Sequence, residues 1–190
     1  MGGGGRRLRE NAPLLFVSSN AGKAREVEAI LGLPIARVDL DLPEIQALEV
    51  EAVVREKAAA AYAAVGRPVL VEDTGLYLDA LHGLPGALVR WFLIAIGPAG
   101  ICGLIPVGAT RAATARSAVA LCDGDDLHIV SGEMRGEIAE QPQGTNGFGW
   151  DPIFRPAGAV RTFAEMDEAE KLHFSMRRLA LDQVRIRLGG

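Results

Sequence analysis

Residues 69–75 read Val69-Leu70-Val71-Glu72-Asp73-Thr74-Gly75. The three apolar residues form a short buried strand, two of them β-branched, and the chain then turns abruptly acidic. Working outward, residues 49–65 have the apolar spacing of a long helix, closed by Gly66 and Pro68. Earlier still, Leu14–Val17 is a second short apolar run, bounded by the polar Ser18-Ser19-Asn20. Asn20 is a good N-cap for a helix that carries Val27, Ile30 and Leu31 on one side and stops at Gly32. Residues 35–42 alternate Val38, Leu40 and Leu42 with Asp39 and Asp41, a strand pattern ended by Pro43. Strands alternating with helices predict an α/β fold.

Downstream the pattern changes. Residues 112–121 and 127–138 flank the turn Asp123-Gly124-Asp125, which predicts a long β-hairpin in the middle of the chain. A loop rich in Gly and Pro follows at 141–152, and the region after Asp167 is helical with a break near Ser175. Asp167 with Glu170 three residues later resembles a capping box. There is no internal repeat and no long linker, so residues 13–190 are expected to form one domain behind a flexible tail at 1–12.

The chain has 190 residues, nearly half apolar, which is a globular composition. Its 20 Lys and Arg against 24 Asp and Glu give a net charge of −4, which argues against broad binding to nucleic acid. Cys102 and Cys122 are the only cysteines and have no metal-ligand spacing. No apolar run is long enough to span a bilayer, and Leu14–Val17 is too short for a signal-peptide core. These features predict a cytoplasmic protein that binds neither nucleic acid nor membrane.

Four constellations could carry chemistry. Ser18-Ser19-Asn20-Ala21-Gly22-Lys23 joins a strand to a helix N-terminus, whose free N–H groups suit a phosphate. Lys23 adds a full positive charge where the helix dipole disfavours it, which an anion would explain, although a solvated lysine behind an ordinary cap is the alternative. Lys57 falls in the middle of the stripe Val50, Val54, Ala61 and Ala64, so it must snorkel to solvent or meet an anion. Glu44, Glu72 and Asp73 are carboxylates near strand ends, either turn caps or hard oxygen ligands of the kind Mg2+ takes beside phosphates. In Gly147-Phe148-Gly149-Trp150-Asp151-Pro152, one of two tryptophans sits beside a carboxylate, either stacking on a base or anchoring the loop.

Together these pieces resemble the inosine triphosphate pyrophosphatases, and their eukaryotic branch in particular, from about Leu14 to Leu181. The resemblance rests on SSNAGK at 18–23, DLPEIQ at 41–46, VLVEDTGL at 69–76, LPG then RWF at 84–92, GFGWDPIF at 147–154, and TFAEM, AEK and S-x-R within 162–177. It implies an elongated mixed α/β sheet with flanking helices, two lobes around a central cleft, and a homodimer. Ser18 to Lys23 and Lys57 would hold the triphosphate. Glu44 and Asp73 would hold Mg2+, with Asp73 also accepting the proton of the attacking water, so that Asp73, Lys23 and Lys57 carry the catalysis. Thr74 and Arg90 would lie near the nucleotide, and Phe148, Gly149, Trp150, Asp151, Lys171 and Arg177 around the base.

The implied reaction converts ITP, dITP or XTP to the monophosphate and pyrophosphate. A donor such as Arg177 would favour a 6-oxo purine over adenine. Three departures bear on this, one being Leu172 where the family has an asparagine after Glu-Lys. Met176 stands where the family has a histidine near the base, and Ala47-Leu48 replaces the usual Gly-Glu beside Glu44. The rival readings are a nucleotide-binding protein with impaired turnover and a Maf-like pyrophosphatase for other nucleotides.

Overall fold

The computed structural model describes residues 13–124 and 126–188. The expected tail at 1–12 and Asp125 of the central turn lie outside the described residues. In chain order the elements are β1 (Leu14–Val17), α1 (Ala21–Leu31), β2 (Ile35–Val38), α2 (Val50–Val65), β3 (Val69–Leu78), β4 (Pro85–Gly86), α3 (Val89–Gly103), β5 (Ala112–Cys122), β6 (Leu127–Ile138), β7 (Phe154–Pro156), α4 (Glu168–His173) and α5 (Met176–Arg187).

One mixed sheet of seven strands runs in the order β2-β1-β3-β5-β6-β7, with β4 paired to β3. β1 is parallel to both β2 and β3, whereas β3, β5, β6 and β7 pair antiparallel. The class is the α/β predicted from the alternation of elements. Because β1 and β3 are parallel and Val17 pairs with Val71, Ser18 to Lys23 and Glu72 to Thr74 emerge at the same edge. That edge is where α/β sheets place ligands.

Two strand boundaries differ from the sequence reading. β3 does not stop at Val71 but continues through Glu72, Asp73 and Thr74 to Leu78, paired with β5 throughout. Its polar residues stay in the sheet because β5 outlasts β1 as a partner and because cations from distant elements bury Glu72. β2, in contrast, ends at Val38, where its partner β1 ends at Val17. Leu40 and Leu42 leave the sheet but still pack against the core below α2.

Alternation along β3 divides its side chains between two cores. Leu70 joins Phe16, Val27, Leu181 and Val184 under α1 and α5, while Val69 and Val71 join Val50, Val54 and Ala58 under α2. The buried face of α2 comprises Val50, Val53, Val54, Ala58 and Ala61, and Ala64 is exposed. The apolar stripe is therefore rotated from the one read in the sequence, and Lys57 lies at its rim.

Helix ends follow local signals closely. Asn20 caps α1 by accepting the Lys23 N–H, and Gly32 and Gly66 end α1 and α2 in the left-handed conformation. Ser175 breaks the C-terminal helix and caps α5 by accepting the Arg178 N–H. Asp167 caps α4 through the Glu170 N–H, but the Glu170 carboxylate pairs with Arg161 instead of closing a box. The reciprocal box is at Thr162 and Glu165. Gly132 of β6 lets the first turn of α5 lie on the sheet, since a Cβ there would stand 2.2 Å from the Met176 carbonyl oxygen. Among the described residues no helix is long and apolar enough to cross a membrane.

Candidate active site

A cleft of about 670 Å³ opens at the shared edge of β1 and β3, a volume within the range of small-molecule sites. It is lined by Ser18, Ser19, Asn20, Lys23, Glu44, Lys57, Asp73, Thr74, Arg90, Phe148, Gly149, Trp150, Asp151, Lys171, Met176 and Arg177. Of the residues predicted for a nucleotide site, only Ala21 and Gly22 are missing from this wall. They begin α1 behind it, where Gly22 lies against the Phe148 ring.

Lys23, Lys57 and Asp73 face this common space but are held differently. Glu72 points to the α1 and α5 side of β3 and is fully buried. Its Oε1 accepts from Ser117 Oγ at 2.8 Å and Arg177 Nε at 2.9 Å, and Lys23 Nζ sits 2.8 Å from its Oε2. The Lys23 contact is an ion pair off the line of a good hydrogen bond, for Oε2 has no well-directed donor. Burial opposes the charge on Glu72, but Arg177 and Lys23 outweigh it and draw the carboxyl down to about 2. Glu72 thus anchors Lys23 and Arg177 and is no free ligand.

Asp73 is the opposite case. It faces the α2 side of the strand and, among the described residues, forms neither a hydrogen bond nor an ion pair through its carboxylate. Burial pushes it up to about 6, with Lys23 and Lys57 pulling down and Glu72 and Glu44 adding to the rise. A poised, uncommitted carboxylate is what a general base requires. Nearby, Lys57 Nζ lies 3.0 Å from Glu44 Oε1, and Arg90 Nη1 lies 3.7 Å from Oε2. Burial disfavours the Glu44 charge, but Lys57, Arg90 and Lys23 hold the carboxyl below its usual range. Lys57 therefore meets an anion, and that anion is Glu44.

The other end of the cleft is built by the loop before β7. Gly147 adopts a left-handed φ of 75°, and a Cβ there would stand 2.0 Å from Asp151 Oδ2. This turn lets Asp151 accept the Phe148 N–H at 2.8 Å while holding Lys171 Nζ at 2.8 Å. Burial raises the Asp151 carboxyl above its ordinary value despite Lys171 and that N–H. Lys171 Nζ lies 4.8 Å from the centre of the Phe148 ring. Trp150, for which stacking on a base and anchoring the loop were both open, packs edge-on against Phe154 and beside Phe163 in the core while touching the cleft. The accessible aromatics on the cleft wall, among the described residues, are the half-buried Phe148 and the exposed Trp91.

Arg177 is almost wholly buried, its Nε on Glu72 and its Nη1 on Glu26. Glu26 also reaches Lys171 Nζ at 3.2 Å. Glu26 and Ser117 thus join the site without having been singled out in the sequence. A lone glutamate on an amphipathic helix carries no local signal, yet its place one turn after Lys23, at i+3, puts it on the same face. Met176 packs in the core and touches the cleft. Among the described residues, no group of three or more His, Cys, Asp and Glu is arranged to hold a metal.

The sequence pattern of the Ham1 family matches residues 14–186. The chain belongs to the Ham1 family. Within and around it, the chain is 44% identical over 179 residues to inosine triphosphate pyrophosphatase 2 of Trypanosoma cruzi, covering 92% of this chain and 91% of that one. It is 40% identical over 174 residues to the dITP/XTP pyrophosphatase of Methanopyrus kandleri, covering 90% and 93%. The fold matches a HAM1 protein from Coxiella burnetii with a TM-score of 0.80 at 30% identity, over 93% of this chain and 98% of that one. The mixed sheet that carries the cleft thus belongs to a fold shared with a solved Ham1 protein.

Proposed function

We propose that this chain hydrolyses non-standard purine nucleoside triphosphates, ITP, dITP and XTP, to the monophosphate and pyrophosphate, removing deaminated purines from the nucleotide pool. The observation that carries the reading is that Lys23, Lys57 and an unpartnered Asp73 share one cleft with the aromatic and charged cluster of Phe148, Asp151 and Lys171. A triphosphate tail seeks cations and N–H groups, a base seeks a π-face and fixed polar groups, and both stand in the same cavity.

In this reading Asn20 fixes the N-terminus of α1, whose amide groups and Lys23 receive the phosphates together with Lys57. Asp73 takes the proton of a water that attacks the α-phosphorus, and pyrophosphate leaves as one unit. Lys23 and Lys57 offset charge on the phosphate oxygens, since catalysis of this kind is mainly positioning and charge stabilisation. Glu44 and Asp73 fit Mg2+, being hard oxygen donors of which Asp73 is uncommitted, and Mg2+ is normally held by one or two carboxylates plus phosphate. When bound it would supply charge neutralisation of the phosphate oxygens. At the other end, Lys171 and Arg177 on the cleft wall offer donors to a 6-oxo group, an arrangement that leaves the amino edge of adenine unmatched.

Residues 13–190 act as one domain in this reading, and the protein works as a cytoplasmic homodimer. Support for self-association comes from Ile94 and Ile96, large apolar side chains exposed on α3. Cys102 and Cys122 are both unpaired, in keeping with a reducing compartment.

The test is incubation with ITP and Mg2+, with assay of pyrophosphate and of the ITP-to-ATP ratio of kcat/KM. Pyrophosphate as first product with preference for ITP is expected. Binding without release would favour a non-catalytic nucleotide binder, and preference for pyrimidine or modified nucleotides would favour the Maf-like reading.

A further inference from the structure

Neither Tyr77 nor Arg116 lines the cleft, yet both converge on the segment that carries Glu44. Residues 43–49 have no regular secondary structure and are mostly exposed, so little buried area holds them. Their fixed points are polar. The Tyr77 hydroxyl accepts the Val50 N–H at 3.2 Å, at the start of α2, and donates to the Leu48 carbonyl at 3.0 Å. The same carbonyl accepts the Ala87 N–H at 2.9 Å, tying the segment to the chain just after β4. Burial pushes the phenol up to about 12, so it remains a donor at any physiological pH.

Arg116 completes the arrangement. Its guanidinium lies 4.7 Å from the centre of the Tyr77 ring. Nη1 pairs with Glu49 at 2.7 Å, and Nη2 with Glu133 at 2.7 Å. Glu49 is the residue that precedes α2, and Glu133 stands directly opposite Arg116 on β6. The ring reaches this place because Gly75, opposite Arg116 on β3, has no side chain. A Cβ there would stand 2.8 Å from Tyr77 Cε2.

We propose that Tyr77 and Arg116 form a clasp fixing the segment that carries Glu44, which makes Tyr77 a positioning residue for the metal-binding side of the cleft. The inference rests on the functional reading above for the role of Glu44, but not for the clasp itself. The clasp grips backbone atoms of Leu48 and Val50, independently of the Leu48 side chain, which is itself exposed.

The decisive variant is Tyr77→Phe, which keeps the ring under Arg116 and removes both hydrogen bonds of the hydroxyl. Amide hydrogen exchange at Val50, and at Ala87 on the Leu48 carbonyl, is expected to quicken by about tenfold, with the amides of β3 and β5 unchanged. The Mg2+ concentration giving half-maximal pyrophosphate release from ITP is expected to rise by about fivefold or more, while kcat at saturating Mg2+ stays within about twofold. Arg116→Met is expected to shift both readouts in the same direction by less. Unchanged exchange at Val50 and Ala87, or faster exchange spread evenly over the sheet, would overturn the clasp. So would an unchanged half-saturation with kcat reduced. If the parent protein releases no pyrophosphate, the functional reading fails on its own, and the exchange experiment still decides the clasp.

Discussion

Asp73→Asn should produce an enzyme that is almost inactive and more stable than its parent, a combination that a structural role for this residue cannot give. Asp73 has an ordinary value of 3.8 and is raised to about 6 in the fold, chiefly by burial. The folded protein thus holds its proton more tightly than the unfolded chain does. Stability falls as pH rises from about 4 to about 6 and stays lower above that range. Two units correspond to at most about 3 kcal/mol, and water in the open cleft screens part of this, leaving about 1–2 kcal/mol. Asparagine has nearly the same shape and no charge, so it escapes that penalty. In EDTA at about pH 7.5 the variant should melt about 2–6 °C above the parent, and the gap should narrow toward about pH 5. With Mg2+ and ITP, kcat should fall by about a hundredfold to ten-thousandfold, the usual contribution of a general base. Retention of more than about a tenth of the parent rate, or a lower Tm, would refute the role assigned to Asp73.

Glu72→Gln should act in the reverse sense, costing about 3–5 kcal/mol in urea titrations because Arg177 and Lys23 lose their buried counter-charge. In the parent, with Glu72 at about 2 rather than 4.5, the stability from this group should disappear as pH falls from about 4.5 to about 2; an acid transition identical in parent and variant would contradict this. Phe148→Ala should raise KM for ITP by about tenfold or more through lost stacking, with a Tm close to the parent's because the ring is half-buried; an unchanged KM would remove Phe148 from the base site. Met176→His should sharpen the preference for ITP over GTP by about threefold to tenfold, the worth of one hydrogen bond. A constant ratio of kcat/KM would mean that this position does not read the base.

What could be read in the sequence was what local chemistry decides. β1 matches its apolar run residue for residue, and Asn20, Gly32, Gly66 and Ser175 mark helix ends because capping uses only neighbours along the chain. Sixteen of the predicted nucleotide-site residues line one cleft: Ser18 to Asn20 and Lys23 follow β1, Asp73 and Thr74 lie on the adjacent parallel β3, and the rest are brought in by the fold from the segment at 43–49, α2, α3, the loop before β7, α4 and α5. The failures are non-local. Glu72 ends an apolar run in the sequence but continues a strand in the fold, since its charge is met by Lys23, 49 positions earlier, and Arg177, 105 positions later. Glu26 was silent for the same reason. Trp150 was open to stacking on a base or anchoring the loop, and only the packing of Phe154 and Phe163 around the indole decides for the anchor. The clasp at Tyr77 depends on a carbonyl 29 residues away.

Neighbouring carboxylates on β3 face opposite sides of the pleat, and this makes the bookkeeping of charge depend on parity. Sliding β3 by a single position against β5 would send the reactive acid into the pair of cations meant for the inert one, and leave the inert one exposed to solvent and substrate. Ten consecutive rungs from Val69↔Cys122 to Leu78↔Ala113 guard against that exchange. A one-residue deletion between Pro68 and Glu72 should therefore be far more damaging to turnover than its distance from any bound phosphate would imply.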